Sequence, residues 1–239
     1  MSGARGSRYD AVLDPWEPAA GAACRPTFSF RIMSQNGITL SEIEALRRFD
    51  SCTLSNAIET LNVRPRNEGF IQRGVRCVFP KLPPVAGHAV TGRLRSATQP
   101  IHGHCYYDHI EWWRYLETIP PPRIVVLRDA DDPPGIGALF GSLHARICMA
   151  LDCVAYITNG TVRDLSEIER LGFQLFARGP AVSHAYAHVV EFGCPVEIGG
   201  LKVHIIGGPT SSVVLTVFIV PAAYLLVYRN RPRRVEAQQ

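Results

Sequence analysis

The stretch from Gly135 to Gly179 constrains the fold more than any other part of this 239-residue chain. An apolar run follows Gly141 and predicts a helix, whereas Cys153–Thr158 is rich in β-branched and aromatic residues, as in a buried strand. Asn159-Gly160 favours a turn, and a second helix is expected from Asp164 to its stop at Gly172. The stretch therefore predicts a helix–strand–loop–helix–strand unit, with a helix start, an arginine and an aspartate at the ends of packed elements.

Helices and strands are also expected on both sides of this unit. A capping box of Ser41 with Glu44 predicts a first helix, which Thr53–Leu61 and a helix from Asp108 follow. Strands are expected at Val75–Phe79, Gly87–Ser96 and Arg123–Arg128, and a Gly-Gly hairpin at Pro195–Val203. Helices mixed with strands in this way indicate an α/β or α+β domain with a layered core.

The two ends of the chain are predicted to differ from the domain between them, residues 39–204. Residues 1–38 are rich in Gly, Ala, Pro and Ser without periodicity, which favours a flexible extension. The end, residues 205–239, is atypical: residues 205–228 carry no charge, and an arginine-rich segment follows. A bilayer span needs ~20 apolar residues, but Pro209 and Pro221 interrupt a helix. A membrane segment and buried core elements both stay open here.

Composition narrows the functional classes. Much of the net charge of +4 lies after residue 228, and no basic stripe with interleaved aromatic residues is present, so no nucleic-acid partner is expected. The seven cysteines form no C-x-x-C pair, which favours reduced thiols. Residues 1–31 hold no apolar core of signal-peptide length. The expected location is therefore the cytoplasm, and the alternative is membrane association through residues 205–228.

Several polar residues have a structural as well as a functional interpretation. Asp164 with Glu167 fits a capping box at the start of the second helix. His184 and His188 stand four residues apart, as on one face of a helix, and are expected to be structural, with pocket lining as the alternative. A histidine-rich cluster has the composition of a transition-metal site but no standard zinc spacing, so it is expected to be polar surface or interface; it comprises His102, His104, Cys105, Asp108 and His109.

Three elements of the central stretch carry a resemblance to a known family. They are Gly141-Ser142-Leu143, the run Thr158–Asp164 (TNGTVRD) and the run Leu171–Gly179 (LGFQLFARG). Together they resemble the RraA-like family, which includes 4-hydroxy-4-methyl-2-oxoglutarate aldolases and regulators of ribonuclease E activity. The resemblance is strongest over residues 135–203. It implies a swivelling α/β/β/α fold, assembled as a homotrimer or larger ring with sites near the subunit interfaces.

The resemblance also implies an activity, that of a class II aldolase using Mg²⁺ or Mn²⁺. Such enzymes cleave 4-hydroxy-2-oxo acids to pyruvate and decarboxylate oxaloacetate through a metal-stabilised enolate. By motif, Asp164 would hold the metal, directly or through water, and Arg163 would contact the substrate. Backbone N–H groups at the helix start would bind the substrate carboxylate; these belong to Gly141, Ser142, Leu143 and His144. The residue types suit this chemistry, because a growing enolate charge requires a cation and planar donors close by.

Two departures from the family pattern keep a second function open. Many relatives carry an acidic residue where this chain has Ser142, and residues 205–212 contain none of the acids usual in the family's late region. Both departures favour a ring protein that binds a protein partner without turnover. The intact run Asn159–Asp164 favours the enzyme. The expected function is therefore a metal-dependent lyase acting on a small 2-oxo acid, and the binding protein is the alternative.

Overall fold

The computed structural model describes residues 38–62, 65–71, 74–100, 110–203 and the strand 214–216. Its helices are α1 (Leu40–Leu46), α2 (Ser51–Glu59), α3 (Ile110–Thr118), α4 (Ser142–Ala150) and α5 (Leu165–Leu171). Its strands are β1 (Arg76–Cys77), β2 (Ala86–Arg95), β3 (Arg123–Asp129), β4 (Cys153–Ile157), β5 (Thr161–Val162), β6 (Gln174–Ala177), β7 (Gly179–Pro180), β8 (His188–Phe192), β9 (Val196–Ile198), β10 (Leu201–Val203) and β11 (Val214–Thr216).

Seven strands form one sheet in the order β1-β6-β4-β3-β2-β11, and β8 also pairs with β2. The four central strands β2, β3, β4 and β6 run parallel to one another. Strands β1, β8 and β11 pair with them in the antiparallel direction. Because parallel strands end at the same edge of a sheet, the loops that follow β3, β4 and β6 meet at one edge, where ligands usually bind in α/β folds.

Each face of the sheet is covered by a different layer. Helices α3, α4 and α5 pack on the first face, here called the helix face, through Trp112, Leu116, Ala145, Cys148 and Ile168. The hairpin of β9 and β10 packs on the other, the hairpin face, through Val196, Ile198, Leu201 and Val203. Fully burying one such side chain stabilises the fold by about 1.5–3 kcal/mol. The mixed α/β class expected from the sequence is confirmed.

The elements around the central stretch form where the sequence predicts them. Helix α4 begins at Ser142, and α5 ends at Gly172, whose φ of 72° and ψ of 20° are left-handed. The Gly-Gly hairpin also forms, with Leu201 paired to Ile198. These elements depend on local signals that are strong in the sequence, namely apolar periodicity and glycine at the turns.

Two predicted helix starts are wrong by two residues. Helix α1 is capped by Thr39, whose N–H donates to Glu42 Oε2 at 2.8 Å, rather than by Ser41 with Glu44. Helix α2 begins at Ser51 and ends at Glu59, because Asp50 Oδ1 accepts the N–H of Thr53 at 2.9 Å and so caps the helix earlier than expected.

Parts of the two chain ends and the histidine-rich cluster lie outside the described residues. Within 205–228, only Val214–Thr216 is described, as a strand antiparallel to the start of β2. Among the helices that the structure describes, none is both long enough and apolar enough to cross a bilayer. The boundaries at residues 39 and 204, the membrane alternative and the cluster of His102 to His109 therefore stay predictions.

Candidate active site

The loops at the carboxyl edge of the sheet are bonded to one another. The hydrogen bonds run from the amide of Ala138 to Ser183 O (3.0 Å), from Arg163 to Phe140 O (3.0 Å), from Arg178 to Gly160 O (2.9 Å) and from Ala181 to Val162 O (2.8 Å). Each bond joins segments of the chain that follow different strands of the seven-stranded sheet. The backbones of these loops, which carry the side chains of the site, are therefore tied to one another.

Asp164 has an unusual backbone and an unusual side-chain direction for a residue at a helix start. Its φ of 56° and ψ of 37° are left-handed, a conformation that Asp tolerates better than most residues. Its carboxylate makes no capping bond to α5. Instead, Oδ2 accepts the N–H of Ser142 at 3.1 Å and Oδ1 accepts Nε–H of Arg163 at 3.1 Å. The capping-box interpretation of Asp164 with Glu167 is wrong, because the carboxylate faces the start of α4.

Gly141 allows this close approach of the two helix starts. Its φ of −137° and ψ of −167° are extended values open to any residue, so its backbone does not require glycine. A Cβ at this position, however, would lie 2.6 Å from Asp164 Oδ2 and 3.1 Å from Cγ of Arg163. Gly141 also leaves the start of α4 without a side-chain cap. The structure thus brings together Gly141, Ser142, Arg163 and Asp164, as the sequence predicts.

The other two predicted residues take different places around the helix start. Leu143 is 45% exposed, whereas His144 is buried, with its ring 5.7 Å from Trp113 and 6.0 Å from Phe140 between centroids. Burial, and after it the nearby His184, lowers the pKa of His144 to about 4. The His144 side chain is therefore a neutral part of the core at pH 7, and only its backbone belongs to the start of α4.

The charges at the site keep Asp164 ionised. Partial burial of its carboxyl raises the pKa, but the hydrogen bonds from Ser142 and Arg163 outweigh this effect and lower the pKa below the ordinary value. Next to Ser142, Arg146 Nη2 lies 2.8 Å from Glu167 Oε1 in a partly exposed ion pair. Hydrogen bonds from Arg146 and then from Ser142 lower the pKa of Glu167. At neutral pH the site thus holds two carboxylates and two guanidinium groups.

Sequence reasoning missed Asp129, the buried residue that holds the loop leading into the site. Its Oδ1 accepts the N–H of Asp131 at 3.0 Å, and its Oδ2 accepts that of Gly135 at 2.7 Å. Its backbone N–H donates to Asn159 Oδ1 at 2.7 Å, which ties β3 to the loop after β4. Burial raises the pKa of Asp129. The signal in the sequence was an acid two residues after the apolar run Ile124–Leu127, directly after the predicted strand Arg123–Arg128.

The two predicted helical histidines do not share a helix. His184 lies in a loop and His188 begins β8, so the interpretation of a helical i, i+4 pair is wrong. Nδ1 of each histidine donates to a backbone carbonyl, of Ala138 at 2.8 Å and of Tyr186 at 2.6 Å respectively. The bond from His184 helps to fix the segment just before Gly141. Both histidines thus have structural contacts.

A metal at this site would depend on Asp164. Among the residues described, no group of three or more His, Cys, Asp and Glu side chains is placed to hold a metal ion. The described residues therefore form no dedicated cage of protein ligands. The ionised carboxylate of Asp164 accepts one hydrogen bond on each oxygen and retains further lone pairs. This arrangement fits a hydrated Mg²⁺ or Mn²⁺, which needs only one or two carboxylates beside waters and substrate.

Comparisons with known proteins agree with the fold. The family model described as "RraA-like: Aldolase/RraA" matches residues 51–206. A crystal structure of an uncharacterized protein from Pseudomonas syringae pv. tomato str. DC3000 is 17% identical and has a TM-score of 0.57, covering 85% of this chain and 87% of that one. Streptomyces coelicolor RraAS2, described as an unusual member of the RNase ES inhibitor RraA protein family, is 17% identical with a TM-score of 0.53, covering 74% and 80%.

A third solved structure, described as one of the novel cellulases from microbes associated with the gut ecosystem, is 15% identical with a TM-score of 0.61, covering 85% of this chain and 86% of that one. At such low identities these likenesses show the fold alone. A search of curated proteins gives no match.

Proposed function

This chain belongs to the RraA-like family, and on that premise we propose that it is a divalent-metal-dependent lyase acting on a small 2-oxo acid. The reaction would be retro-aldol cleavage of the 4-hydroxy-4-methyl-2-oxoglutarate type or decarboxylation of oxaloacetate. One observation carries the proposal. The Asp164 carboxylate is turned away from its own helix and held, ionised, between the amide of Ser142 and the guanidinium group of Arg163.

Asp164 would hold the Mg²⁺ or Mn²⁺, directly or through water, and the cation would supply Lewis-acid polarisation of the 2-oxo acid. Arg163 uses Nε for Asp164, and its terminal nitrogens have no partner among the described residues. They are therefore available for two-point contact with a carboxylate or an oxyanion. The amide dipoles at the start of α4 add positive potential at the same place. An anionic substrate would be bound and oriented between these groups.

Proton transfer is assigned to solvent rather than to a side chain. A general base near neutral pH needs a pKa close to the working pH, whereas hydrogen bonds lower the pKa of Asp164 below its ordinary value. Glu167 has a lowered pKa as well and is paired with Arg146. The buried His144 is neutral, but its ring packs between Trp113 and Phe140. Water in the site would therefore carry the proton.

The proposal extends to assembly and location. A homotrimer or larger ring is expected, which light scattering coupled to size-exclusion chromatography measures directly. A cytoplasmic location accords with the free thiols of the described cysteines, Cys52, Cys77, Cys148, Cys153 and Cys194.

The decisive experiment measures pyruvate release from 4-hydroxy-4-methyl-2-oxoglutarate and from oxaloacetate, with Mg²⁺, Mn²⁺ or EDTA. Asp164→Asn is the test variant, and Asp152→Asn is its matched control. Asp152 also has a left-handed backbone (φ 52°) and an exposed side chain, but lies at the opposite edge of the sheet, before β4. We expect metal-dependent release that falls at least 100-fold in Asp164→Asn and stays unchanged in Asp152→Asn.

Two results would contradict the lyase proposal. The first is a folded protein without turnover under any metal, which would leave the protein-binding ring as the better interpretation. The second is equal activity of the two variants, which would remove Asp164 from the reaction.

A further inference from the structure

Three arginines lie close together on the hairpin face of the sheet, near the carboxyl ends of β2 and β3. Arg93 and Arg95 are on β2, and Arg128 is on β3, where it is the direct strand partner of Arg93. Side chains alternate between the two faces of a strand. Leu94 packs in the core of the helix face, so Arg93 and Arg95 point to the hairpin face, as does Arg128, two residues after Val126. This set is called the arginine triad below.

The placement of the triad is electrostatically unfavourable for the protein alone. Neighbouring strands are about 4.8 Å apart, and like charges directly opposite each other on a sheet destabilise it. Arg93 has a counterion, because its Nη1 lies 3.1 Å from Glu191 Oε2 on β8. The guanidinium groups of Arg95 and Arg128, both exposed, have no hydrogen-bond or ion-pair partner among the residues that the structure describes. Within the described part of the chain, two positive charges without a counterion therefore stand beside Arg93.

The ion pair of Arg93 indicates what kind of group this surface accepts. Glu191 is the strand partner of Arg93, so a carboxylate from an adjacent extended segment already sits on the triad. Strand β8 supplies no acid to the next position, because the partner of Arg95 is His188. Arg95 is the diagonal neighbour of Arg128 on the adjacent strand, roughly 7–8 Å away, and their long side chains can converge on alternate carboxylates of an extended peptide, which are about 6.6 Å apart.

We propose that the arginine triad is a docking surface for an acidic polypeptide segment in extended conformation. Carboxylates at alternate residues of such a segment would pair with Arg95 and Arg128, as Glu191 pairs with Arg93. Guanidinium groups bind carboxylates through two parallel hydrogen bonds, which suits such a partner. The surface is on the hairpin face of the sheet, whereas α4 and α5 pack on the helix face.

The test uses the full-length protein and a fluorescein-labelled peptide of alternating Glu and Ser residues, with a Lys-Ser peptide of the same length for comparison. Fluorescence anisotropy is measured at low and at physiological salt, since ion pairs on a surface weaken as salt is added. The test variant is Arg95→Gln/Arg128→Gln. The charge-matched control is Arg48→Gln/Arg170→Gln, which removes two exposed arginines, one from the turn after α1 and one from α5. The arginine-rich chain end is the same in all three proteins.

We expect the wild type and the control to bind the acidic peptide with equal Kd, and the triad variant to bind it at least tenfold more weakly. Thermal unfolding checks that the variants fold, and the peptide should raise the Tm of the wild type but not that of the triad variant. An equal loss of affinity for the acidic peptide in the triad variant and the control would overturn the proposal, because it would indicate nonspecific attraction to positive charge. No binding by the wild type at physiological salt would also overturn it, and tighter binding of an oligouridylate would assign the surface to RNA instead.

Discussion

Replacing Gly141 with alanine tests whether the close approach of the two helix starts sets the geometry of the site. The new Cβ would lie 2.6 Å from Asp164 Oδ2, whereas ordinary contact begins at 3.4 Å, so the carboxylate must move by about 0.8 Å. Alanine accepts the extended backbone of this position. A misplacement of ~1 Å can cost ~100-fold in rate. We therefore expect kcat/KM for pyruvate release to fall by about that factor, and the affinity for Mn²⁺ to fall as well.

A second glycine provides the matched control. Gly172 ends α5 at a φ of 72° with nothing near its missing Cβ, so Gly172→Ala strains the backbone without touching Asp164. It should cost about 1 kcal/mol of unfolding free energy, or a few degrees in Tm, at unchanged kcat/KM. Gly141→Ala should instead lower kcat/KM and leave the free energy of unfolding nearly unchanged. The reasoning is refuted if Gly141→Ala keeps its rate and its Mn²⁺ affinity, by isothermal titration, within twofold, or if both variants lose activity equally.

Three further outcomes follow from the site. Because burial lowers the pKa of His144 from 6.5 to about 4, the folded chain binds fewer protons than the unfolded one between these values, and stability should fall as pH decreases through that window. His144→Phe should flatten this slope in urea unfolding; an unchanged slope would contradict the assignment. Asp129→Ala deprives the amides of Asp131 and Gly135 of acceptors and should cost about 2–4 kcal/mol of unfolding free energy, whereas a loss below ~0.5 kcal/mol would show that water replaces the carboxylate. Arg163→Lys removes the planar contact and should lower kcat/KM at least about tenfold; wild-type kinetics would exclude Arg163 from substrate binding.

The elements with strong local signals were predictable from the sequence. Helix α4, helix α5 and the hairpin follow from apolar periodicity and from glycine, which is favoured at turns and at helix ends. The start of α1 could not be predicted from the sequence. Two overlapping patterns, Thr39 with Glu42 and Ser41 with Glu44, offer the same capping chemistry. The path by which the chain enters the helix decides between them, and that path is a tertiary property.

For the candidate site, the sequence indicated residues that the structure brings together, but not their geometry. Family motifs pointed to Arg163 and Asp164, which the structure brings next to Gly141. No pattern in the sequence shows that Asp164 has a left-handed backbone or that its carboxylate accepts no N–H from its own helix, because both depend on the loop after β4 packing against the start of α4. The role of Asp129 was not predicted for a similar reason. Its partners are backbone amides, which carry no residue-specific signal in a sequence.

The hydrogen bonds among the three loops at the carboxyl edge have a consequence for protein engineering. Because Ala138, Arg163, Arg178 and Ala181 each donate an amide to a segment that follows another strand of the seven-stranded sheet, no loop holds its shape alone. Their amides should exchange hydrogen for deuterium as one cooperative group. A graft that replaces a single loop would leave donors and acceptors of the other two without partners. A change of substrate range would therefore have to transplant all three segments together, or alter exposed side chains on the existing scaffold.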